Sequence, residues 1–313
     1  MFRFVLRRLL SGVVLLFVVT TLAYTLLYLG GGDIARRILG QMATAETVAQ
    51  KSAELGLDKP LYVQYGEWLS GAVTGDLGRS WFTGQLVTDG IVSRLSVTLS
   101  IVIGATLVVA LVSVTLGVWA AVRRGWVDRL VQGISILGFA IPGFLIALGL
   151  VTLFALNLRL FQATGYTKFT DSPTGWLATV TLPIIALAIG GIAGVAQQVR
   201  GSVVDALRQD YVRTLRSRGL SFNRVVFKHV LRNAGGPALA VLAVQFVGLL
   251  GGAVIVEQIF AIPGLGQVSV IATSQGDIPM VMGLVVAIAA IVVSVNLLID
   301  LLQGWLNPKV RLS

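Results

Sequence analysis

The sequence contains no cysteine and one histidine, and only 12 % of its 313 residues are charged. Without cysteine there is no disulfide scaffold, no thiolate metal site and no cysteine nucleophile. With His229 as the only imidazole, histidine metal sites and Ser/His pairs inside a bilayer are excluded. A soluble domain carries roughly 25 % charged residues, so about half of the usual polar coat is missing. None of the five lysines (Lys51, Lys59, Lys168, Lys228, Lys309) follows a glycine, which rules out the G-x-x-x-x-G-K-[ST] phosphate loop. If the chain takes part in energised transport, the energy comes from another subunit.

What the sequence does have is apolar length. The apolar set makes up 56 % of the residues and mean hydropathy is +0.87. A hydrocarbon core about 30 Å thick needs roughly 20 mostly apolar helical residues, because every backbone polar group must find its partner within the segment. Six stretches qualify: Leu9–Leu29, Leu95–Val122, Leu130–Leu156, Trp176–Val199, Pro237–Val256 and Met280–Ile299, all free of Asp, Glu, Lys and Arg. The first follows Arg3, Arg7 and Arg8, the charge pattern of a signal peptide. Its apolar run is too long for one, and no small-residue cleavage site follows. Carboxylate chemistry and ion coupling would need acids within the spans. The nearest, Glu257 and Asp300, fall just past two span ends on opposite sides.

Basic residues set the orientation. Sixteen Lys and Arg fall on the side that holds both termini, the loop with Arg123, Arg124 and Arg129, and the loop 200–236; eight fall on the other side. By the positive-inside rule both termini are cytoplasmic. The net charge of +10 is then an orientation signal and not a nucleic-acid footprint. The disposition expected is a cytoplasmic N-terminus 1–8, a span 9–29, an outer loop 30–94, a core 95–304 with an inner loop 200–236, and a cytoplasmic tail 305–313. Tyr24, Tyr28, Trp119, Trp126, Trp176 and Trp305 fall near span ends, where such rings prefer the headgroup level. Gly190/Gly194 and Gly248/Gly252 form small-xxx-small pairs that suit close helix packing. Pro142 and Pro183 should kink their spans.

The inner loop carries eight basic and two acidic residues. From Val203 to Arg218 it lacks Gly and Pro, and apolar residues recur at Val203, Leu207, Tyr211 and Leu215. The spacing predicts an amphipathic helix, a turn at Gly219, and a second short helix opened by Ser221. A solvated, lipid-touching loop would account for the charge but not for this punctuated pattern. A docking helix for a soluble partner accounts for both.

The residues resemble a known family. Asp210-Tyr211-Val212-Arg213-Thr214, then Gly219-Leu220-Ser221, then His229, Leu231, Arg232, Asn233 and Ala234, look like the cytoplasmic coupling loop of permeases from binding-protein-dependent ABC importers. More narrowly, they resemble the first, B-type permease of dipeptide, oligopeptide and nickel systems. Of the general importer pattern E-A-A-x-x-x-G-x(9)-I-x-L-P only Gly219 and Leu231 match. Of the peptide variant D-Y-[VI]-R-T-A-R-x-K-G-L-S with a later H-x-L-R-N-A, only Leu215 and Arg218 depart. Further matches run along the chain: Gly56-Leu57-Asp58-Lys59-Pro60, Gly75-Asp76-Leu77-Gly78-Arg79-Ser80, Asp128-Arg129, Ile141-Pro142-Gly143-Phe144, Glu257-Gln258-Ile259-Phe260, Ile262-Pro263-Gly264-Leu265-Gly266, Gly276-Asp277-Ile278-Pro279 and Asn307-Pro308-Lys309-Val310-Arg311. Gly276 and Asn307 stand where the family more often has Arg and Asp.

The resemblance implies an all-α polytopic membrane protein with six transmembrane helices and the type I ABC importer permease fold. It implies a transport role without catalysis in this chain. The substrate would be dipeptides or oligopeptides, with a nickel or metal-chelate permease of the same family as the alternative, and a self-sufficient channel or secondary carrier as the alternative from another class. The implied partners are a second permease in a heterodimer, two ATPase subunits that bind the ATP and Mg, an extracytoplasmic substrate-binding protein, and inner-membrane lipids. Asp210, Tyr211, Arg213 and Thr214 would form the docking face, with Arg216 in the same coupling set, Gly219 as the turn, and His229, Arg232 and Asn233 as braces within the loop. Glu257, Pro263, Gly264, Gly266, Asp76 and Arg79 would belong to an outer gate or binding-protein contact. The outer loop, too long for a simple connector, should form a small helical cap. Ser135, Thr152, Gln245 and Ser294 are examples of side chains that could line a conduit.

Overall fold

The computed structural model describes residues 2–30, 34–123 and 125–306. Asp33, Arg124 and residues 307–311 lie outside the described residues, as does the side chain of Arg3. The structure is helical, and the isolated bridge between Arg79 and Leu86 is the one strand-like pairing among the described residues. Five helical stretches are long and apolar enough to cross a membrane: Leu6–Gly30, Val87–Arg123, Pro173–Leu207, Phe222–Ile259 and Ile278–Trp305. A further pair, Trp126–Gly138 and Gly143–Asn157, is apolar enough taken together but bends by 93°, the geometry of a broken span or of a re-entrant loop. Five of the six spans expected from hydropathy are therefore present as continuous helices, each extended past its apolar run, and the stretch Leu130–Leu156 is the bent pair. The extensions place Asp89 and Arg94 in α5 (Val87–Arg123), Arg200 and Asp205 in α8 (Pro173–Leu207), and Asp300 in α13 (Ile278–Leu306).

The two span prolines behave differently. Pro142 adopts an extended backbone (φ −57°, ψ 133°) and separates α6 (Gly125–Ala140) from α7 (Gly143–Leu150). Its carbonyl starts α7 by accepting from Leu145 N. A ring that lacks N–H and disfavours helix at the preceding residue can end one helix and begin another, so the expected kink is a right-angled break. Helix α7 runs on into a wide, π-type turn at Val151–Asn157. Pro183, by contrast, is buried within an unbroken α8, where packing on several sides outweighs its missing hydrogen bond.

Packing divides the chain into two compact units, one of Val97–Pro263 with the C-terminal stretch from Ser294, the other of Phe2–Ser96 with Gly264–Val293. The boundaries near 95 and 305 read from hydropathy concern membrane disposition, whereas these concern contact. In the first unit α8 is the hub, packed along α6, α7 and α11 (Leu231–Ile259). Over half of its apolar window is buried, against 17 % in the N-terminal span. Close approach to α5 is set at Gly117, where a Cβ would stand 2.8 Å from both the Ala196 carbonyl and Val199. Gly190, half of an expected small-residue pair, has nothing within 4 Å, while Gly252 of the other pair does sit against Leu187.

In the second unit the outer loop forms the helical cap: α2 (Ile34–Leu39), α3 (Ala45–Glu54) and α4 (Leu61–Val73). Aromatic rings attach it to α1 (Phe2–Gly30). Tyr65 stacks on Trp68 at 5.9 Å and lies 5.4 Å from Tyr24, and Thr20 and Thr21 both hydrogen-bond the Tyr65 hydroxyl at 3.0 Å. Tyr24 is thus a buried cap anchor and not the interfacial ring expected of it; Tyr28, Trp119, Trp126 and Trp305 are exposed as a headgroup belt requires. A second clasp is the buried Asp277 between α12 (Leu265–Gln275) and α13. It accepts from the Ser80 hydroxyl, Trp81 N and Met280 N.

Candidate functional site

The inner loop is where sequence and structure differ in detail. The predicted helix Val203–Arg218 is two helices, because Val203–Leu207 continues α8 and the chain turns at Arg208 and Gln209 before α9 (Asp210–Ser217). Gln209 is extended (φ −72°, ψ 149°), and Asp210 then sits in the first turn, where a carboxylate favours the positive end of the helix dipole. The four-residue apolar spacing runs through the break because both helices turn the same stripe inward. Val203 is buried in α8, and Val212 in α9 is buried beside half-buried Tyr211 and Leu215.

Gly219 ends α9 as expected. Its φ is +83°, its N–H donates to Arg216 O (2.9 Å), and Leu220 N donates to Leu215 O (3.3 Å). This pair of bonds is the left-handed cap that glycine accommodates without a Cβ penalty. The second short helix is not separate. Helix α10 (Phe222–Val225) passes through a wide turn at Val226–Val230 directly into α11. The loop is therefore an eight-residue helix hung between two spans by a two-residue link on one side and a glycine turn on the other.

The outward face of α9 carries Asp210, Arg213, Thr214 and Ser217, all exposed and spaced i, i+3, i+4, i+7. Arg213 lies 3.9 Å from Asp210, and with side chains 85 % and 97 % exposed this pair adds little stability and leaves both charges available. Tyr211 does not belong to this face, since its side chain is half-buried and its hydroxyl is enclosed without a hydrogen-bond partner among the described residues. Arg216 sits 5.6 Å over the Phe222 ring, bracing the glycine turn. The bracing expected of Arg232 and Asn233 is not present. Both are exposed and make no ion pair or side-chain hydrogen bond among the described residues, because α11 has already begun and turns them to solvent; His229 is half-buried in the wide turn.

One support was missed by sequence reasoning. Arg200, about two turns before the end of α8, grips Asp128 at the start of α6 through Nε to Oδ1 and Nη2 to Oδ2, the latter 2.6 Å. The signal was present: Asp128 is the one acid of its short inner loop, and Arg200 is the first cation after a span.

The outer set separates by burial. Glu257 is fully buried in α11, where it accepts from Thr98 Oγ1 at 2.6 Å, and Gly264 and Gly266 are buried as well. These three are interior positions, not surface contacts, because α11 runs through Ile259 and α12 starts directly after Gly264. The intervening turn is tight, with Ala261 at φ +48° and Ile262 N donating to Glu257 O. Pro263, Asp76 and Arg79 do reach the surface. Asp76 also closes a local turn through Gly78 N (2.8 Å), and Arg79 bonds Gly84 O (3.2 Å). Of the conduit examples, Ser135 is buried with its hydroxyl on Val131 O, and Gln245 packs against Gly191.

Comparison with known proteins fits this architecture. The family described as binding-protein-dependent transport system inner membrane component matches residues 113–312, and its N-terminal counterpart matches residues 1–102. A Brucella abortus protein named as a peptide transport system permease is 39 % identical over 308 residues, 98 % of each chain. The glutathione transport system permease protein GsiC of Escherichia coli is 35 % identical over 320 residues, 99 % of each. Among solved structures, the MetNI methionine ABC transporter in inward-facing conformations has a chain that superposes with a TM-score of 0.57 at 17 % identity, covering 69 % of this chain and 96 % of that one. That likeness shows a shared fold. With bundle, inner-loop helix and full-length relatives in agreement, this multi-pass inner-membrane chain belongs to the family of binding-protein-dependent transport system inner membrane components, the permease subunits of ABC importers.

Proposed function

We propose that this chain is one of two permeases in a heterodimer that imports dipeptides or oligopeptides. Helix α9 docks on one of two ATPase subunits, which bind the ATP and Mg, and an outer binding protein delivers the substrate. Both termini lie in the cytoplasm, in keeping with the bias of basic residues. Peptide as the cargo is supported by the names of relatives that align end to end. The observation that carries the coupling role is the geometry of α9: a short helix with an exposed polar face, fixed on its inner side by Val212 and joined by short links to two spans. Such a helix passes on a rigid-body displacement and does not absorb it. Asp210, Arg213 and Thr214 give the partner charged and hydroxyl groups that set register.

Gly219 offers a clean test. A Cβ built there meets nothing of this chain within 4 Å, so within the chain a substitution acts through its left-handed backbone. Asparagine tolerates that conformation, while a β-branched residue pays roughly 1–2 kcal/mol or refolds the turn. Gly219→Val should abolish uptake and uncouple ATP hydrolysis while the protein still inserts. Gly219→Asn should retain most uptake. Normal uptake by the valine variant would defeat the docking assignment.

A further inference from the structure

A groove of 360 Å³ opens on the side of the first unit, between the end of α5 and the residues that follow α9. One wall is Val118, Trp119 and Val122 from α5; the other is Phe227, with the buried Val226 as floor. Thr115 also lines it, but its hydroxyl is bonded to Leu111 O at 2.7 Å, so the wall is apolar in effect. Polarity is confined to one end, where Arg123 and Asn223 lie, both exposed. No carboxylate among the described residues pairs with Arg123, and exposed Arg224 and Lys228 add positive charge beside Asn223 and Phe227.

Length and charge select the occupant. The α5 wall from Val114 to Arg123 rises about 14 Å, close to the depth of one leaflet of a ~30 Å hydrocarbon core. The groove's walls are apolar side chains and its charged end is cationic, which matches an acyl chain joined to an anionic headgroup. Trp119, 45 % exposed at the rim, is a residue suited to the headgroup boundary. We propose that this groove holds a single anionic phospholipid, with an acyl chain along Val118 and Val122 and its phosphate at Arg123 and Asn223. The site joins α5 to the segment emerging from α9, so an occupied groove would wedge the base of the coupling helix against the bundle and make transport depend on anionic lipid.

The experiment uses the assembled transporter in nanodiscs of mixed phosphatidylglycerol and phosphatidylcholine, with native mass spectrometry of retained lipid and a photocrosslinker at position 118. Wild type should retain phosphatidylglycerol selectively and crosslink to lipid. Arg123→Gln should lower that selectivity about fivefold, the worth of one cation near an anionic surface. Arg129→Gln, a second exposed cation near the same end of the bundle, should leave it unchanged. Val118→Trp, which fills the groove, should remove retention of both lipids. The proposal is overturned if Arg123→Gln retains phosphatidylglycerol as wild type does, if both arginine variants lose it equally, or if position 118 crosslinks to a protein chain.

Discussion

Removing the Asp128–Arg200 pair tests whether α8 is braced as a lever. The two groups meet through two parallel hydrogen bonds, and their side chains are 27 % (Arg200) and 16 % (Asp128) exposed. At roughly 3 Å and an effective dielectric of about 20, the gross attraction is about 5 kcal/mol. Partial desolvation of both ions and ordering of the arginine offset a large part of it, leaving a net coupling of about 1–3 kcal/mol. Single changes Asp128→Asn and Arg200→Gln each strand one charge, while the double variant strands neither. A double-mutant cycle on unfolding of the purified transporter should therefore return a coupling of about 1–3 kcal/mol, a factor of roughly 5 to 150. Functionally, both single variants should import fewer substrate molecules per ATP, because displacement of α9 bends the end of α8 away from α6 and is not carried into the bundle. Additive single effects would refute the strut, and an unchanged import-to-ATP ratio in all three variants would refute its role in coupling.

Other positions give sharper structural outcomes. Gly117→Val should cost about 1–3 kcal/mol through overpacking against the Ala196 carbonyl and Val199, read as loss of monodisperse protein on heating in detergent, whereas Gly190→Ala, with open space around it, should be neutral. Asp277→Ala removes the shared acceptor of Ser80, Trp81 and Met280 and should make the outer cap cleavable by added protease, while Ser80→Ala, which keeps Trp81 N and Met280 N on Asp277 but strands Phe82 N and Thr83 N, should loosen chiefly the turn at 80–83.

The sequence revealed most where a single physical requirement dominated. Span positions followed from apolar length, the Gly219 turn from the need for a left-handed residue, and the helical cap from a connector too long to be one. The errors fall where tertiary context decided. A steps-of-four stripe is the same whether one helix or two present it to the bundle, so the break at Gln209 left no trace in periodicity. Tyr24 satisfies the rule for interfacial rings, but Tyr65 and Trp68 of the cap cover it, and pairing between residues forty apart cannot be read from either segment alone. Glu257 looked like an acid beyond a span end because the apolar run stops at Val256. The helix continues through Ile259 and buries it against Thr98, whose hydroxyl supplies the hydrogen bond that makes burial tolerable.

These placements bear on how movement passes through the chain. Helix α9 has two exits, and they differ in stiffness. Toward α8 there is a two-residue link with one extended residue, then a helix held at Gly117 by backbone contact and at Arg200 by Asp128. Toward α11 there is a left-handed glycine, a cation over an aromatic ring, and a wide turn at Val226–Val230 in which the regular hydrogen-bond pattern is interrupted. Wide turns of this kind mark places where a helix can shift register. A displacement imposed on α9 should therefore reach the bundle as a tilt of α8, while the start of α11 yields. On this reasoning substitutions that stiffen Val226–Val230 slow transport without loosening the fold, whereas those at Arg200 loosen the fold and lower the import gained per ATP.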